Sequence, residues 1–323
     1  MTHEALLHTL KQIPLPEGRG LWINCAAQAA GDVYSPLAGA FSGGPETHVH
    51  GAVETLAPEY DFVIMSATKQ MAESEGLLAL ALQRAKGLVI VAAAKDAGGG
   101  RLAGMMEAYG VKIGELSKSR CRVVWTHEPQ QARREWIDKN LTQLAARQVP
   151  IDGKNWWSVP GLFGWDKIDA GSKLLLEHLP VDLGGYIADF GCGYGYLSSD
   201  LAQRETVAQI DAYDQDARAA ALAAKNANEK SGRAKVRPLW QDIRQLKAQP
   251  LYDAVVMNPP FHSGKQEDIA LGETFIRKAW ESLKPRGKLF FVANRHLPYE
   301  KIVKGLSILH EGNSFKIITG RHP

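Results

Sequence analysis

The sequence predicts an α/β fold made of two tandem Rossmann-like domains, of which the N-terminal one is degenerate. Three observations support this. Strand and helix patterns alternate along the C-terminal half, a glycine-rich turn follows the first of those strands, and the N-terminal half repeats the rhythm without that turn. A chain of 323 residues is long enough for two hydrophobic cores, and 45% hydrophobic with 23% charged residues is an ordinary globular composition.

The C-terminal half is predicted to hold a parallel sheet with helices on both faces. Its strand and helix signals alternate at 186–190, 198–204, 209–213, 217–230, 235–239, 252–257, 274–283 and 288–293. Parallel sheets of this kind bind ligands at the carboxyl ends of their strands. Two further strand signals, at 306–311 and 314–319, flank Gly312 and Asn313 and predict an antiparallel hairpin at the sheet edge.

A glycine-rich turn joins the first of these strands to its helix. Gly191, Gly193 and Gly195 lie within the segment Tyr186–Leu197. Glycine adopts positive φ freely and lets the backbone approach a ligand closely. The Gly-x-Gly-x-Gly pattern alone also fits dinucleotide binders and simple tight turns. We interpret Cys192, within the turn, as a small side chain packed under the ligand rather than as a nucleophile.

Acidic residues follow the next two predicted strands. A carboxylate beside the glycine turn suits the two ribose hydroxyls of an adenosyl ligand, and we favour Asp214 for this position. Asp211 and Asp216 are the alternatives, although they also fit a strand residue and a helix N-cap. Asp242, after the third strand, is either an acceptor for an adenine amino group or an ordinary loop residue.

The strand at 252–257 ends in Asn258-Pro259-Pro260-Phe261, a pattern typical of enzymes that methylate amino groups. An amino group conjugated to a ring or an amide is a poor nucleophile because its lone pair is delocalised. The oxygens of Asn258 and Pro259 can accept its N–H groups and localise the lone pair, while the prolines fix the backbone. Phe261 offers a face on which a flat base can stack. The alternative is a strand that simply ends in a proline turn.

The N-terminal half repeats the C-terminal pattern without its chemical groups. A strand is predicted at 20–24, and the segment 25–30 that follows contains no glycine. The pattern of Tyr60–Met65 matches that of Tyr252–Met257, yet Ser-Ala-Thr-Lys follows it in place of Asn-Pro-Pro-Phe. We therefore predict a degenerate domain at 1–147 and a catalytic domain at 148–323, joined by a linker at about 146–155.

Composition and charge restrict the class of protein further. No apolar run approaches membrane length and the first residues lack the order of a secretory signal, so we expect a cytoplasmic protein. Three cysteines, odd in number and widely spaced, indicate neither a disulfide framework nor a metal site. A net charge of +3 neither requires nor excludes nucleic acid. Basic clusters at 118–122 and 133–134 fit either solvated surface or phosphate contacts.

The C-terminal half carries further segments with a specific pattern. These are Pro160–Phe163, Asp169–Leu176, the glycine turn, Asn258–Gly264 and Val292–Tyr299. Through them the chain from about Trp156 onward resembles the class I S-adenosylmethionine-dependent methyltransferases. More narrowly, it resembles the RsmC/RlmG family of bacterial ribosomal RNA guanine-N2 methyltransferases, and its small-subunit branch in particular.

The resemblance implies a fold, a cofactor and a set of site residues. The implied fold is a seven-stranded sheet with a reversed last strand, preceded by a second such domain whose site has decayed. S-adenosyl-L-methionine is the implied cofactor. Its implied contacts are Asp169, Asp189, Gly191, Gly193, Asp214 and Asp242. The implied catalytic residues are Asn258, Pro259, Pro260 and Phe261. The implied substrate contacts are Phe261, His262, Lys265 and Arg295.

The resemblance also implies methyl transfer to the exocyclic N2 amino group of a guanine in ribosomal RNA, expected to be 16S RNA of the small subunit. A monomer is expected, with the N-terminal domain engaging RNA and supporting the fold. Large-subunit RNA, adenine N6 and protein glutamine are alternative targets for the same motif. A non-catalytic RNA-binding factor of ribosome assembly is the alternative from outside the enzymes.

Overall fold

The computed structural model describes residues 2–38, 47–229, 233–260 and 266–323. The chain divides into two compact units. One comprises Met1–Arg147 with Val159–Gly161, and the other comprises Gln148–Ser158 with Leu162–Pro323. Within the described ranges, every helix is too short or too polar to cross a membrane.

The N-terminal unit is a seven-stranded sheet covered by helices. Its elements in chain order are α1 (Thr2–Leu10), β1 (Gly20–Ile23), β2 (Gly31–Tyr34), β3 (Thr47–His50), β4 (Tyr60–Ser66), α2 (Met71–Arg84), β5 (Ala85–Ala94), α3 (Leu102–Ala108), β6 (Gly114–Lys118), β7 (Cys121–Thr126) and α4 (Arg134–Leu141). The strand order is β3-β2-β1-β4-β5-β7-β6. The first five strands are mutually parallel, and β7 runs antiparallel to both of its neighbours.

Two hydrophobic clusters bury both faces of this sheet. Leu77–Leu82 of α2 pack with Val63 and Met65 in one cluster, and Ala5 and Leu6 of α1 pack in the other. Burial on both faces explains why β4 is an almost continuous apolar run rather than an alternating one. The sequence pattern that predicted a parallel sheet therefore reflects a real two-sided core.

A hairpin precedes the second sheet. Its strands are β8 (Arg147–Ile151) and β9 (Lys154–Ser158), and they form a sheet of their own. Asp152 and Gly153 connect them with φ values of 50° and 72°, a pair of positive φ values that suits a tight two-residue turn. The segment predicted as a linker, at about 146–155, therefore forms most of this hairpin.

The C-terminal unit repeats the architecture of the first. Its elements in chain order are α5 (Ala170–His178), β10 (Gly185–Phe190), α6 (Tyr196–Leu201), β11 (Val207–Asp214), α7 (Ala217–Glu229), β12 (Lys235–Trp240), β13 (Tyr252–Met257), α8 (Gln266–Glu281), β14 (Leu283–Asn294), β15 (Leu306–Glu311) and β16 (Phe315–Arg321). The order is β12-β11-β10-β13-β14-β16-β15, with β16 antiparallel to its neighbours. The predicted fold of two seven-stranded domains, with a reversed strand and an edge hairpin, is confirmed.

A buried carboxylate bonded to a tyrosine occurs at the same place in both sheets. On β2, Asp32 accepts a hydrogen bond from the Tyr60 hydroxyl at 2.5 Å. On β11, Asp211 accepts one from the Tyr252 hydroxyl at 2.8 Å. Each aspartate lies on the strand next to the central one, and each tyrosine begins the strand on its other side. This internal correspondence indicates that the two units are copies of one fold.

Candidate active site

The candidate site lies at the carboxyl edge of the C-terminal sheet. Phe190, the last residue of the central strand β10, pairs with Tyr213 on one side and with Met257 on the other. The chain after β11 leaves the sheet on one side of the glycine turn, and the chain after β13 leaves on the other. Ligands of open α/β sheets bind at such a point because neighbouring loops diverge there.

The glycine turn has the backbone that the sequence predicted. Gly191, Gly193 and Gly195 have φ values of 78°, 54° and 90°, which L side chains rarely adopt. A Cβ atom at Gly193 would meet nothing within 4 Å, whereas one at Gly195 would lie 2.5 Å from the Cα atom of Ala223. Gly195 is thus required for packing against α7, and Gly193 leaves open space above the turn.

The hairpin β8–β9 supports the glycine turn from within the same unit. Trp156 is buried and packs edge-on against Tyr194, with ring centroids 5.3 Å apart. The Asn226 side chain donates to the carbonyl oxygens of Trp157 and Tyr194, both at 2.8 Å. The Trp156 ring and the Trp157 backbone therefore support the turn from β9.

Asp214 contacts the glycine turn directly. Its Oδ2 atom accepts a hydrogen bond from the Gly193 N–H at 2.9 Å, and its Oδ1 atom accepts one from the Asp216 N–H at 2.8 Å. Burial raises the pKa of Asp214 to about 6, although these N–H donors oppose the rise. Two carboxylate oxygens offer about four acceptor positions, so this side chain keeps capacity for ligand hydroxyls.

The two alternatives to Asp214 have other partners. Asp211 is fully buried and binds Arg237 at 2.6 Å in addition to Tyr252. Asp216 accepts the Arg218 N–H at 2.9 Å at the start of α7, and its carboxylate also pairs with the Arg218 guanidinium. Of the three, only Asp214 has a described hydrogen bond to the glycine turn, which supports the preference drawn from the sequence.

Asp189 is a buried carboxylate with one oxygen unused. Its Oδ2 atom accepts from the Ser198 hydroxyl at 2.6 Å, and its Oδ1 atom is buried without a partner among the described residues. Burial raises the pKa of Asp189 to about 7. This buried acceptor lies one residue before Phe190, which precedes the glycine turn. A buried acceptor without a donor lowers the stability of the fold unless a ligand or a water molecule donates to it.

Asp242 is engaged by a neighbour. It caps a short helical turn through the Arg244 N–H at 2.9 Å, and the Arg244 guanidinium donates to both carboxylate oxygens at 2.6 to 3.0 Å. These contacts occupy the lone pairs that an adenine amino group would need. The arrangement favours the loop interpretation of Asp242, and its adenine contact stays a prediction.

Asn258 is held by two side chains of the segment that begins α5. Its Nδ2 atom donates to Asp169 Oδ2 and to Ser172 Oγ, both at 2.8 Å. A carboxylate accepts hydrogen bonds, so the amide nitrogen must face Asp169 and the amide oxygen must face away from it. Asp169 also accepts the Ser172 N–H at 2.8 Å as the N-cap of α5, which fixes the carboxylate in turn.

Asp169 contacts Asn258 directly. The cofactor contact that the resemblance implied for Asp169 stays a prediction, and Asp169 also lines the cavity beside the glycine turn. Ser172 was missed as a site residue altogether. The only local signal was an aspartate three residues before a serine at a helix start, which is an N-cap pattern and does not by itself predict a contact with Asn258.

A cavity of about 140 Å³ opens beside Asn258 at the ends of β13 and β14. It is lined by Asp169, Asn258, Pro259, Val292, Ala293, Asn294 and Phe315. A smaller cavity of about 40 Å³ adjoins the glycine turn and includes Phe163, whose side chain is 52% exposed. Asp169 and Asn258 line both cavities, so the space over the turn and the space beside Asn258 meet at these two residues.

The remaining predicted residues are placed as follows. Pro260 directly follows Pro259 beyond β13, and both lie within the described chain. Arg295 follows β14, and its Nε atom donates to Glu311 at 2.8 Å. Phe261, His262 and Lys265 lie outside the described residues.

Cys192 is buried in the core, and burial raises the pKa of its thiol well above the usual range. This supports the packing interpretation over a nucleophile.

Comparison with known proteins places this geometry in a family. The family model described as "Methyltransferase small domain" matches residues 154–319. The ribosomal RNA small subunit methyltransferase C of Psychromonas ingrahamii is 31% identical over 226 residues, which cover 67% of this chain and 62% of that protein. The protein of the same name from Vibrio vulnificus is 30% identical over 269 residues, covering 80% of this chain and 76% of that protein.

A solved structure matches over the whole length. The 16S rRNA N2 G1207 methyltransferase of T. thermophilus, in complex with AdoMet and guanosine, gives a TM-score of 0.80 at 21% identity. The match covers 100% of this chain and 92% of that one, so both units share its fold. Taken with the family model and the relatives, these matches show that the chain belongs to the ribosomal RNA small subunit methyltransferase C family.

Proposed function

We propose that this protein transfers a methyl group from S-adenosylmethionine to the exocyclic N2 amino group of a guanine in 16S ribosomal RNA. The observation that carries the proposal is the orientation of Asn258. Its amide nitrogen is bound by Asp169 and Ser172, so its oxygen is available as an acceptor beside the cavity at the ends of β13 and β14. An acceptor fixed in advance is what activation of a conjugated amine requires.

The residues around the glycine turn fit the cofactor. The space above Gly193 is open, Asp214 keeps acceptor capacity for ribose hydroxyls, and the Oδ1 atom of Asp189 has no described partner. A cofactor with hydroxyl and ammonium donors satisfies both carboxylates. When bound, S-adenosylmethionine supplies an electrophilic methyl group.

The side chains of this unit then act on the amine. Asn258 Oδ1 and the Pro259 carbonyl oxygen each accept one N–H of the target, which draws its lone pair out of conjugation. The target nitrogen forms its bond to the methyl carbon as the carbon–sulfur bond breaks, and it then releases one proton to water or through Asn258. No strong base is needed because the nitrogen becomes acidic as it acquires the methyl group.

The target guanine must leave any base pair to react here, because pairing occupies one of the two N2 N–H groups that Asn258 and Pro259 accept. We propose that Phe261 stacks on the extruded base, and that His262, Lys265 and Arg295 contact the RNA around it. For Arg295 this requires exchange of its ion pair with Glu311, a pair exposed enough to be worth only about 0–1 kcal/mol. The exchange therefore costs little.

The proposal includes the setting of the reaction. We propose action in the cytoplasm, as a monomer, on the assembled small subunit rather than bare RNA. The net charge of +3 is too small for phosphate attraction alone to select one base. Shape recognition by a folded particle supplies the remaining selectivity.

Methylation with an isotopically labelled cofactor tests the proposal. Small subunits lacking the modification are incubated with the full chain, and the digested RNA is analysed by mass spectrometry of its nucleosides. We expect label in N2-methylguanine at one position of 16S RNA. Label in N6-methyladenine, in methylglutamine or in large-subunit RNA would each support a rival target. Cofactor binding without any methylation would support the assembly-factor alternative.

A further inference from the structure

The N-terminal unit contains a cavity at the carboxyl ends of β4 and β5. Its volume is about 320 Å³. Its lining combines apolar side chains, among them Met65, Leu78, Val91, Leu102 and Met105, with polar ones such as Thr68, Gln70 and Ser74. This volume lies at the lower end of the range for small-molecule sites, so the cavity fits one flat ring system rather than a whole dinucleotide. Methionines adapt their shape to aromatic rings and make favourable sulfur contacts with them.

The rim of this cavity is cationic. Lys69 and Arg101 are exposed, and neither has an ion pair to any described residue. The helix α2 begins at Met71, which also lines the cavity, and its N-cap Gln70 makes no side-chain capping bond. The two cations favour an anion at the rim, whereas Glu73 in the first turn of α2 opposes one at the helix end itself. Asp96 is the one carboxylate in the lining.

A basic hairpin turn continues this rim. Lys118, Arg120 and Arg122 lie at the β6–β7 turn and, with Lys95, line a second cavity of about 360 Å³. The segment 95–101 lines the first cavity through some residues and the second through others. Arg122 is paired with Glu115, while the other three have no ion pair to a described residue. Among the described residues, six cations and one carboxylate thus line two adjoining cavities. The net charge of +3 does not reveal this local excess of positive charge.

This cavity lies at the position that the target cavity has in the other sheet. The strand β4 corresponds to β13 by strand order, and Ile23 pairs with Met65 as Phe190 pairs with Met257. Ser66, the last residue of β4, and Ala67 therefore stand where Asn258 and Pro259 follow β13. Ser66 offers no amide at the position of Asn258, so this cavity lacks the group that the proposed methylation needs there.

We propose that the N-terminal unit binds one nucleotide of a single-stranded RNA segment at this edge. The base enters the cavity against its apolar side chains, and the phosphates on either side contact Lys69, Arg101 and the basic β6–β7 turn. The identity of the RNA rests on the proposed function, whereas the binding site itself does not.

Methionine methyl resonances provide the direct test. The chain has six methionines, and three of them, Met65, Met71 and Met105, line the cavity. The full chain labelled at methionine methyl carbons is titrated with each nucleoside 5′-monophosphate and with a single-stranded RNA hexamer. We expect RNA to shift these three signals, with Met106 serving as an internal reference. Shifts confined to Met257, which precedes Asn258, would place all binding at the catalytic edge and overturn the proposal.

Substitutions separate a site from general charge attraction. Lys69→Ala and Arg101→Ala should each weaken hexamer binding several-fold and lower its salt dependence by about 0.7 in the log–log slope. Lys112→Ala, an exposed lysine of the same unit outside both cavities, is the matched control and should change neither. An equal effect of all three would mean diffuse attraction and overturn the site.

A cavity-filling variant completes the test. Ala97→Phe places a ring in the cavity from a partly exposed position and should abolish the three methionine shifts while cofactor binding persists. Shifts with mononucleotides but not with RNA would show a free-nucleotide site instead and contradict the RNA assignment. Because this readout needs no methyl transfer, failure of this site and failure of the proposed activity are distinguishable.

Discussion

The two sheets of this chain keep the same architecture and differ at one edge. Strand order and the reversed strand are identical, and the buried pairs Asp32–Tyr60 and Asp211–Tyr252 occupy equivalent places. At the carboxyl edge the correspondence stops. Asn24 follows β1 where Gly191 follows β10, and Ser35 lies three residues after Asp32 where Asp214 lies three after Asp211.

The comparison distinguishes the features that stabilise the fold from those that serve the proposed reaction. Buried strands and an Asp–Tyr hydrogen bond stabilise either unit, so both retain them. An open glycine turn, a partly unsatisfied carboxylate and an oriented amide stabilise nothing until a ligand arrives. Among the described residues, these features occur in the C-terminal unit, and the N-terminal unit has a basic edge instead.

The largest expected effect is at Asn258. Asn258→Ala should abolish turnover while leaving cofactor affinity nearly intact, because the lost acceptor acts on the target amine. Removal of a preorganised contact of this kind costs about 3 kcal/mol or more in the barrier. Ser66→Ala, at the equivalent place of the N-terminal sheet, is the control and should not change turnover. A methyl-transfer assay beside calorimetry with S-adenosylmethionine measures both. Wild-type turnover by the Asn258 variant would contradict the mechanism.

The next effect concerns cofactor affinity. Asp214→Ala should weaken S-adenosylmethionine binding about 10- to 100-fold, because charge-assisted hydrogen bonds are each worth roughly 1.5–3 kcal/mol. Asp216→Ala serves as the control, since its carboxylate is paired with Arg218. A binding titration in which the Asp216 variant is the weaker binder would reverse the assignment.

Asp169→Ala separates two roles for one residue. If Asp169 orients Asn258, the variant should lose about tenfold or more in kcat and keep its cofactor Kd, since a charged hydrogen bond is worth roughly 1.5–3 kcal/mol. A loss of cofactor affinity without a change in kcat would restore the role implied by the resemblance. Loss of the N-cap costs about 1 kcal/mol of stability, so thermal unfolding is followed in parallel.

The buried tyrosines should respond alike in both units. Tyr60→Phe and Tyr252→Phe each remove a hydroxyl bonded to a buried aspartate, which typically costs about 1–3 kcal/mol. Differential scanning calorimetry should show a lower Tm for each variant, with similar shifts. A lower Tm in only one of the two variants would contradict the structural equivalence of the two Asp–Tyr pairs.

A smaller effect should appear as pH changes. In the N-terminal sheet, hydrogen bonds from Tyr60 and Arg19 lower the pKa of Asp32 against the effect of burial, so it stays ionised. In the C-terminal sheet, burial raises the pKa of Asp214 to about 6 and that of Asp189 to about 7. Deprotonation favours acceptance of cofactor donors, so affinity should rise as pH increases through these values. Calorimetry in buffers of different ionisation enthalpy should detect proton release near pH 6. Affinity that falls over this range would contradict the assignment of both carboxylates.

The sequence by itself determined the fold class, the two-domain architecture and the family. These sequence signals are local: alternating strands and helices, the glycine turn and Asn258-Pro259. Local patterns predict structure well because they depend on residues that are neighbours in the chain. The fold and the family resemblance are confirmed. The individual site roles stay predictions, with the geometry favouring Asp214 and Asn258 over their alternatives.

Only the tertiary structure decided which way those side chains point. Asp169 and Asn258 are 89 residues apart in the chain, so no periodicity relates them, and only folding shows that one orients the other. The same holds for the unused oxygen of Asp189 and for the cavity beside Met65 and Met105. Contacts between distant segments depend on how helices and strands pack, and a local sequence pattern does not specify them.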